Sequence, residues 1–144
     1  MKLTRASTGT PWERQFGYSR AVRAGNLIAV AGTVAADEHG QPVGSDAYAQ
    51  GREIFRILDS VLRRLGSRLD HVMRLRVHYA DPEVGIGFSR ALREAFPEGA
   101  PALTGIRVQA LVDPAFLVEV EADAAVADWV PEAPPVPEWD EPVD

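Results

Sequence analysis

Glu119 and Glu121 stand two residues apart in Leu117-Val118-Glu119-Val120-Glu121-Ala122, a segment that alternates apolar and acidic side chains. Period-two alternation puts both carboxyls on the polar side of one strand. In a dry cleft such a carboxyl acts as a general base or water anchor, its pKa raised by desolvation. Beside Arg74, Arg76 or Arg107 on neighbouring strands it belongs instead to a structural ion network. The network reading suits Glu121; for Glu119 both readings stand. Other chemistries lack their residues. His39, His71 and His78 fall in a turn, at a strand start and in mid-strand, without the spacing of a zinc site. The chain has no cysteine, hence no thiolate nucleophile, disulfide or thiolate-bound metal. Ser19, Thr33 and Ser89 sit in no nucleophile-elbow context. Gly85-Ile86-Gly87 is too short for a phosphate-binding loop. Acid–base chemistry with no cofactor and no metal is what these residues allow.

Three further residues are candidates for the same cleft. Arg107 shares strand parity with Leu103 and Gly105 and could bring a guanidinium to a ligand anion; the alternative is a salt bridge to Glu119 or Glu121. Tyr18 either contacts a ligand or packs as an aromatic at a strand start. Arg20, of the same parity, borders the cleft or serves a surface or interface role.

The elements that must position these groups are legible as periods and turns. Thr4 to Pro11 reads as an edge strand or arm. Ser19–Asn26 and Leu27–Val34 form a hairpin across Gly25-Asn26, and Gly32 marks a bulge or a close backbone approach. A helix capped by Ser45 or Asp46 and ended at Gly66 carries Ile54, Ile57, Leu58, Val61, Leu62 and Leu65 on one stripe. Met73, Leu75, Val77 and Tyr79 alternate with Arg74, Arg76 and His78 in the next strand. Asp81-Pro82-Glu83 starts a second helix, with Phe88, Ala91, Leu92 and Ala95 as its buried face. Two closing strands, 105–112 and 116–126, join across Asp113-Pro114. Helices this apolar on one stripe cover one face of a mixed β-sheet, an α+β arrangement. The half-polar other face points to an oligomer, cyclic by preference.

The charge is unevenly spread. The chain has 144 residues and 15 Lys+Arg against 21 Asp+Glu, a net charge of −6. Residues 128–144 hold six of those acids and no base, so residues 1–127 are formally neutral, with 15 acids and 15 bases. One domain over 1–127 and an acidic tail over 128–144 rich in proline and tryptophan are expected; the tail is either disordered or docked on a neighbouring subunit. A neutral body with an acidic tail lacks the basic footprint of a nucleic-acid binder. Met1-Lys2-Leu3-Thr4-Arg5 has no apolar signal core and no run approaches a membrane span, so a cytoplasmic protein without membrane partners is expected.

Six segments taken together resemble the Rid family, also called YjgF or L-PSP-like. They are Gly17-Tyr18-Ser19-Arg20-Ala21-Val22, Val30-Ala31-Gly32-Thr33, Leu65-Gly66 with Asp70-His71-Val72, Val77-His78-Tyr79-Ala80-Asp81, Pro101-Ala102 and Leu117–Ala122. The resemblance implies a chorismate-mutase-like α+β fold and a homotrimer binding a small-molecule ligand between subunits. For the best-known members it implies hydrolysis of reactive enamines and imines to 2-keto acids and ammonia. It makes Tyr18 the cleft-closing tyrosine, Gly32 the glycine whose backbone meets the ligand with Thr33 beside it, and Glu119 the glutamate that positions water. Deaminating members carry an arginine right after Pro-Ala that clamps a substrate carboxylate; here that residue is Leu103, which cannot form a two-pronged charged contact. Pro11-Trp12-Glu13 and the closing segment from Asp113 resemble a branch that commonly lacks this arginine. The resemblance thus implies a hydrolase or deaminase whose specificity lies away from ordinary 2-imino acids. A non-catalytic binding or interaction trimer is the alternative.

Overall fold

Residues 1–126, described by a computed structural model, run in the order β1 (Leu3–Ala6), α1 (Pro11–Phe16), β2 (Ala21–Ala24), β3 (Leu27–Thr33), α2 (Ala47–Arg64), β4 (Val72–Tyr79), α3 (Val84–Ala95), β5 (Ala102–Arg107) and β6 (Val118–Ala125). The strands form one mixed sheet, ordered β1-β2-β3-β6-β4-β5. Only β4 and β5 run parallel, joined by α3; the other neighbours are antiparallel. The chain fold is therefore α+β with α2 and α3 on one face of the sheet. The expected acidic tail, 128–144, lies outside the described residues. No helix among the described residues is long and apolar enough to cross a membrane.

The core lies between α2, α3 and the sheet. Ile54, Leu58, Val61 and Leu62 of α2 meet Ile28, Leu75, Val118 and Val120, and all are buried. Asp46 caps α2 by accepting the Ala49 N–H at 2.8 Å. Gly66 follows the helix at φ +84°, a left-handed conformation that a Cβ would strain. Phe55 sits edge-on to Phe96, ring centroids 5.5 Å apart, and tilts against Phe88 at 5.6 Å.

Three local readings are corrected. Alternation in β4 does not start at Met73: a register shift between Val72 and Arg74 turns Val72 inward and leaves Met73 46% exposed. The fifth strand is Ala102–Arg107 rather than 105–112, and it is no hairpin partner of β6, because β4 lies between them. A short helix, α1, occupies residues read as arm and strand approach. Thr10 precedes it, Pro11 opens it and Glu13 lies in its first turn, the sequence pattern of a helix start. Its Trp12 packs edge-on against Phe116 at 5.8 Å, closing a small second core of Val34, Ala36 and Phe116 at the end of the sheet.

Candidate functional site

Strand β6 carries Glu119 and Glu121 on the sheet face away from the helices. In register, His78 of β4 lies opposite Glu119 and Arg76 opposite Glu121, whereas the buried Val77 faces Val120. The start of β6 is fixed from behind by Gln50, buried in α2. Its amide nitrogen donates to the Gly44 and Ala115 carbonyls at 3.1 and 2.8 Å, and its oxygen accepts the Leu117 N–H at 2.9 Å. Three hydrogen bonds from one buried side chain hold the strand end that bears Glu119.

Next to β6, β3 changes register between Val30 and Thr33. This bulge brings Gly32 against the Glu119 carboxyl: a Cβ at residue 32 would collide with Glu119 Oε1. Any side chain at residue 32 would have to displace the carboxyl that occupies the space. The close approach expected from the sequence is thus between backbone and a side chain of the same site.

Arg20 ties the rest together, and the surface role weighed for it is corrected. It is 4% exposed. Its Nη1 donates to the Gly32 carbonyl at 2.6 Å and to Thr33 Oγ1 at 3.3 Å, and Nη2 donates to the Tyr18 hydroxyl at 3.0 Å. Its Nε lies 3.6 Å from Glu13 Oε2, an ion pair too long for a hydrogen bond. Glu13 in turn accepts from the Thr8 N–H at 3.2 Å, from the Thr8 hydroxyl, and from the Thr10 hydroxyl at 2.9 Å. Burial raises the Glu13 pKa, but hydrogen bonds from Thr8, Ser7 and Thr10 and the Arg20 charge outweigh it and leave the carboxyl below its ordinary value. A strut therefore runs from the N-terminal arm through Glu13 and Arg20 to the carbonyl of Gly32. Sequence reasoning missed Glu13 and Gln50. Thr10-Pro11-x-Glu13 carried a signal for the first, but a single polar residue beside a helix stripe carried none for the second.

Tyr18, Arg20, Gly32, Thr33 and Glu119 line one cavity of about 530 Å³. Among the described residues Glu119 has no ion-pair partner: Arg74 and Arg76 turn to Asp123, at 4.0 and 3.2 Å, and Glu121 takes His78 at 3.3 Å. Burial raises the Glu119 pKa; nearby His78 and Arg20 oppose this, and Glu121 adds to it. A carboxyl that holds its proton more tightly than usual in a concave site suits it to accept a proton from water and return it. The expected network with Arg74, Arg76 or Arg107 therefore forms at neither carboxyl: Glu121 meets His78 instead, and Glu119 stands without an ion-pair partner among the described residues.

Leu103 and Arg107 are not brought to this cavity within the chain. They register with Leu75 and Tyr79, so they lie on the opposite sheet face from Glu119, on an edge strand. Arg107 bonds the Ala80 carbonyl through Nε at 3.4 Å. Neither alternative weighed for it, a cleft contact or a salt bridge to Glu119 or Glu121, occurs within the chain.

Comparison with known proteins gives concordant matches. The family model for Endoribonuclease L-PSP matches residues 12–126. A solved Mycobacterium tuberculosis member of the YjgF/YER057c/UK114 family is 36% identical, with 87% of this chain and 100% of that one covered at a TM-score of 0.78. An uncharacterized Streptomyces coelicolor protein is 34% identical over 122 residues, 85% of this chain and 91% of the relative. A RutC family protein of Pyrococcus horikoshii is 30% identical over 108 residues, 74% of this chain and 85% of the relative.

Proposed function

The chain belongs to the L-PSP family, also written YjgF or RutC, and on that premise we propose that it is a cofactor-free hydrolase of a small, reactive imine, enamine or carbonyl compound. The observation that carries this reading is the placement of Glu119, a carboxyl of raised proton affinity seated on the bare backbone of Gly32 at the wall of a cavity. Glu119 takes a proton from the attacking water as oxygen bonds to the C=N carbon. Arg20 is a positioning residue: its donors hold the Gly32 carbonyl and the Tyr18 hydroxyl that shape the cavity.

The working assembly in this reading is a cytoplasmic homotrimer with clefts between copies, where the edge strand bearing Leu103 and Arg107 borders a neighbour's cleft. Leucine at that point removes a carboxylate clamp, so the substrate class shifts away from 2-imino acids towards imines without a carboxylate. The family name also carries ribonuclease activity. Around the cavity the acids Asp37, Glu38 and Glu119 are matched by Arg20, Arg56 and Arg64, so the site offers no excess of positive charge for a polyanion and favours a small ligand. Leu103 in place of a clamping arginine also suits a second reading, a small-molecule-binding or interaction trimer without turnover.

The test generates 2-iminopropanoate and carboxylate-free imines in situ and measures release of ammonia and carbonyl product by wild type and Leu103→Arg. Faster turnover of the carboxylate-free imines by wild type, reversed by Leu103→Arg, supports the hydrolase reading and its specificity. Wild-type turnover of 2-iminopropanoate as fast as that of the other imines contradicts the specificity. No turnover of any imine by either protein selects the binding reading.

A further inference from the structure

Glu119 stands between two cavities. On one side lies the space shared with Tyr18 and Arg20; on the other lies a second cavity of about 330 Å³ walled by His78, Glu121, Gly32 and the apolar Val108, Ala110 and Leu111. His78 is directly opposite Glu119 in the β4–β6 register, where Cβ atoms are about 4.5–5.5 Å apart. Its Nε2 lies 3.3 Å from Glu121 Oε2. One imidazole thus sits between two carboxyls, with one nitrogen on Glu121 and the ring beside Glu119.

The other groups around this imidazole do not compete for it. On its own strand Arg76 turns to Asp123 at 3.2 Å. On β5 the residue in register with His78 is Ile106, which carries no charge.

Imine hydrolysis makes a specific demand on such a site. One imine and one water become one carbonyl compound and one ammonia. The oxygen of water forms a bond to the imine carbon, and the π pair moves to nitrogen. The C–N bond then breaks, with its electron pair leaving on nitrogen. Both protons of the water end on that nitrogen. A single carboxyl holds one proton, so Glu119 alone must load and unload twice in each turnover.

We propose that Glu119, His78 and Glu121 form a proton relay in which His78 is the second proton-carrying group of the site, taking one water-derived proton from Glu119 and returning it for delivery to the leaving nitrogen. Glu121, with Oε2 3.3 Å from Nε2, sets a carboxylate against the ring, as is common beside a working histidine. The relay's use in turnover rests on the hydrolytic reading of the site; the coupling of the two titrating groups does not.

The test has two arms on the full-length protein. In the first, glutamate is labelled with 13C at Cδ and Glu119 is followed by NMR from acid to neutral pH. Wild type shows two inflections, one from Glu119 and one transmitted from the imidazole. His78→Gln loses the inflection transmitted from the imidazole, and the Glu119 inflection moves to higher pH because imidazolium no longer favours the carboxylate. In the second arm His78→Gln lowers kcat for imine hydrolysis by about 10- to 100-fold, leaves KM within about twofold, and recovers rate when imidazole is added. A single wild-type inflection overturns the relay, as does a variant with wild-type kcat. Absence of any wild-type turnover, with both inflections present, overturns the hydrolytic reading while leaving the coupled pair intact.

Discussion

Replacing Gly32 by alanine puts one carbon where the Glu119 carboxyl now lies. The new Cβ collides with Oε1 and stands 3.1 Å from Cδ and 3.4 Å from Cγ. Two responses compete. If the side chain yields, Glu119 leaves its preferred rotamer at a cost of about 0.5–1.5 kcal/mol. Alanine returns about 0.4–1 kcal/mol by restricting the unfolded chain, since residue 32 is not among the positive-φ glycines. These terms nearly cancel, so stability changes by less than about 1 kcal/mol. If the backbone yields instead, Arg20 loses its 2.6 Å bond to the Gly32 carbonyl, and a hydrogen bond to a charged group is worth about 1.5–3 kcal/mol. The colliding atom is the far end of a flexible side chain, so the first response wins. Regaining normal contact moves Oε1 by roughly 1 Å, a misplacement that costs about a hundredfold in rate. Urea unfolding and imine hydrolysis on the same preparation check this: Gly32→Ala keeps its unfolding midpoint and loses about two decades of kcat. Unchanged kcat, or a stability loss of several kcal/mol, refutes the reasoning.

Gln50→Ala strands the Gly44 and Ala115 carbonyls and the Leu117 N–H; a loss of about 3 kcal/mol in urea unfolding is expected, and a loss under about 0.5 kcal/mol contradicts the anchoring role. Glu13→Gln leaves the Arg20 charge buried without its partner and costs about 3–5 kcal/mol at pH 7. Because the Glu13 carboxyl is held below its ordinary value of 4.5, its contribution is present above that pH and fades as pH falls through the folded pKa. The gap between variant and wild type in thermal melts should close in acid; a gap constant from pH 7 to pH 3 contradicts the strut. Glu119 has the opposite sign: its carboxyl is raised above 4.5, so the folded state binds the proton better and wild type loses stability as pH rises past that value. Glu119→Gln escapes this loss and should match or exceed wild-type stability at pH 7, with no advantage at pH 4; a destabilised variant at pH 7 contradicts the reading.

What the sequence made legible was whatever a single local period controls. The α2 stripe from Ile54 to Leu65 and the inward row Phe116, Val118, Val120, Ala122 and Ala124 follow their periods, and so the face that bears Glu119 could be read. The bulge at Met73 could not, because one inserted residue resets a period-two pattern without marking its own position. Arg107 and Leu103 share a parity with each other, as read. Parity within a strand does not state which face that strand turns to its neighbour, and the β4–β5 register puts them on the face away from Glu119. Arg20 looked like a surface residue because its compensation is non-local: Gly32, Thr33 and Glu13 belong to two other elements. Buried charge is paid for by partners that composition cannot show.

The rate of imine hydrolysis by Glu119→Gln, in protein shown by melting to be folded, tests the central claim most directly. Glutamine keeps the shape of the side chain against Gly32 and removes only its capacity to take a proton. The account predicts that kcat falls by about 10²–10⁴-fold while ligand affinity and the melting temperature hold. A folded Glu119→Gln protein that hydrolyses the imine at the wild-type rate contradicts it.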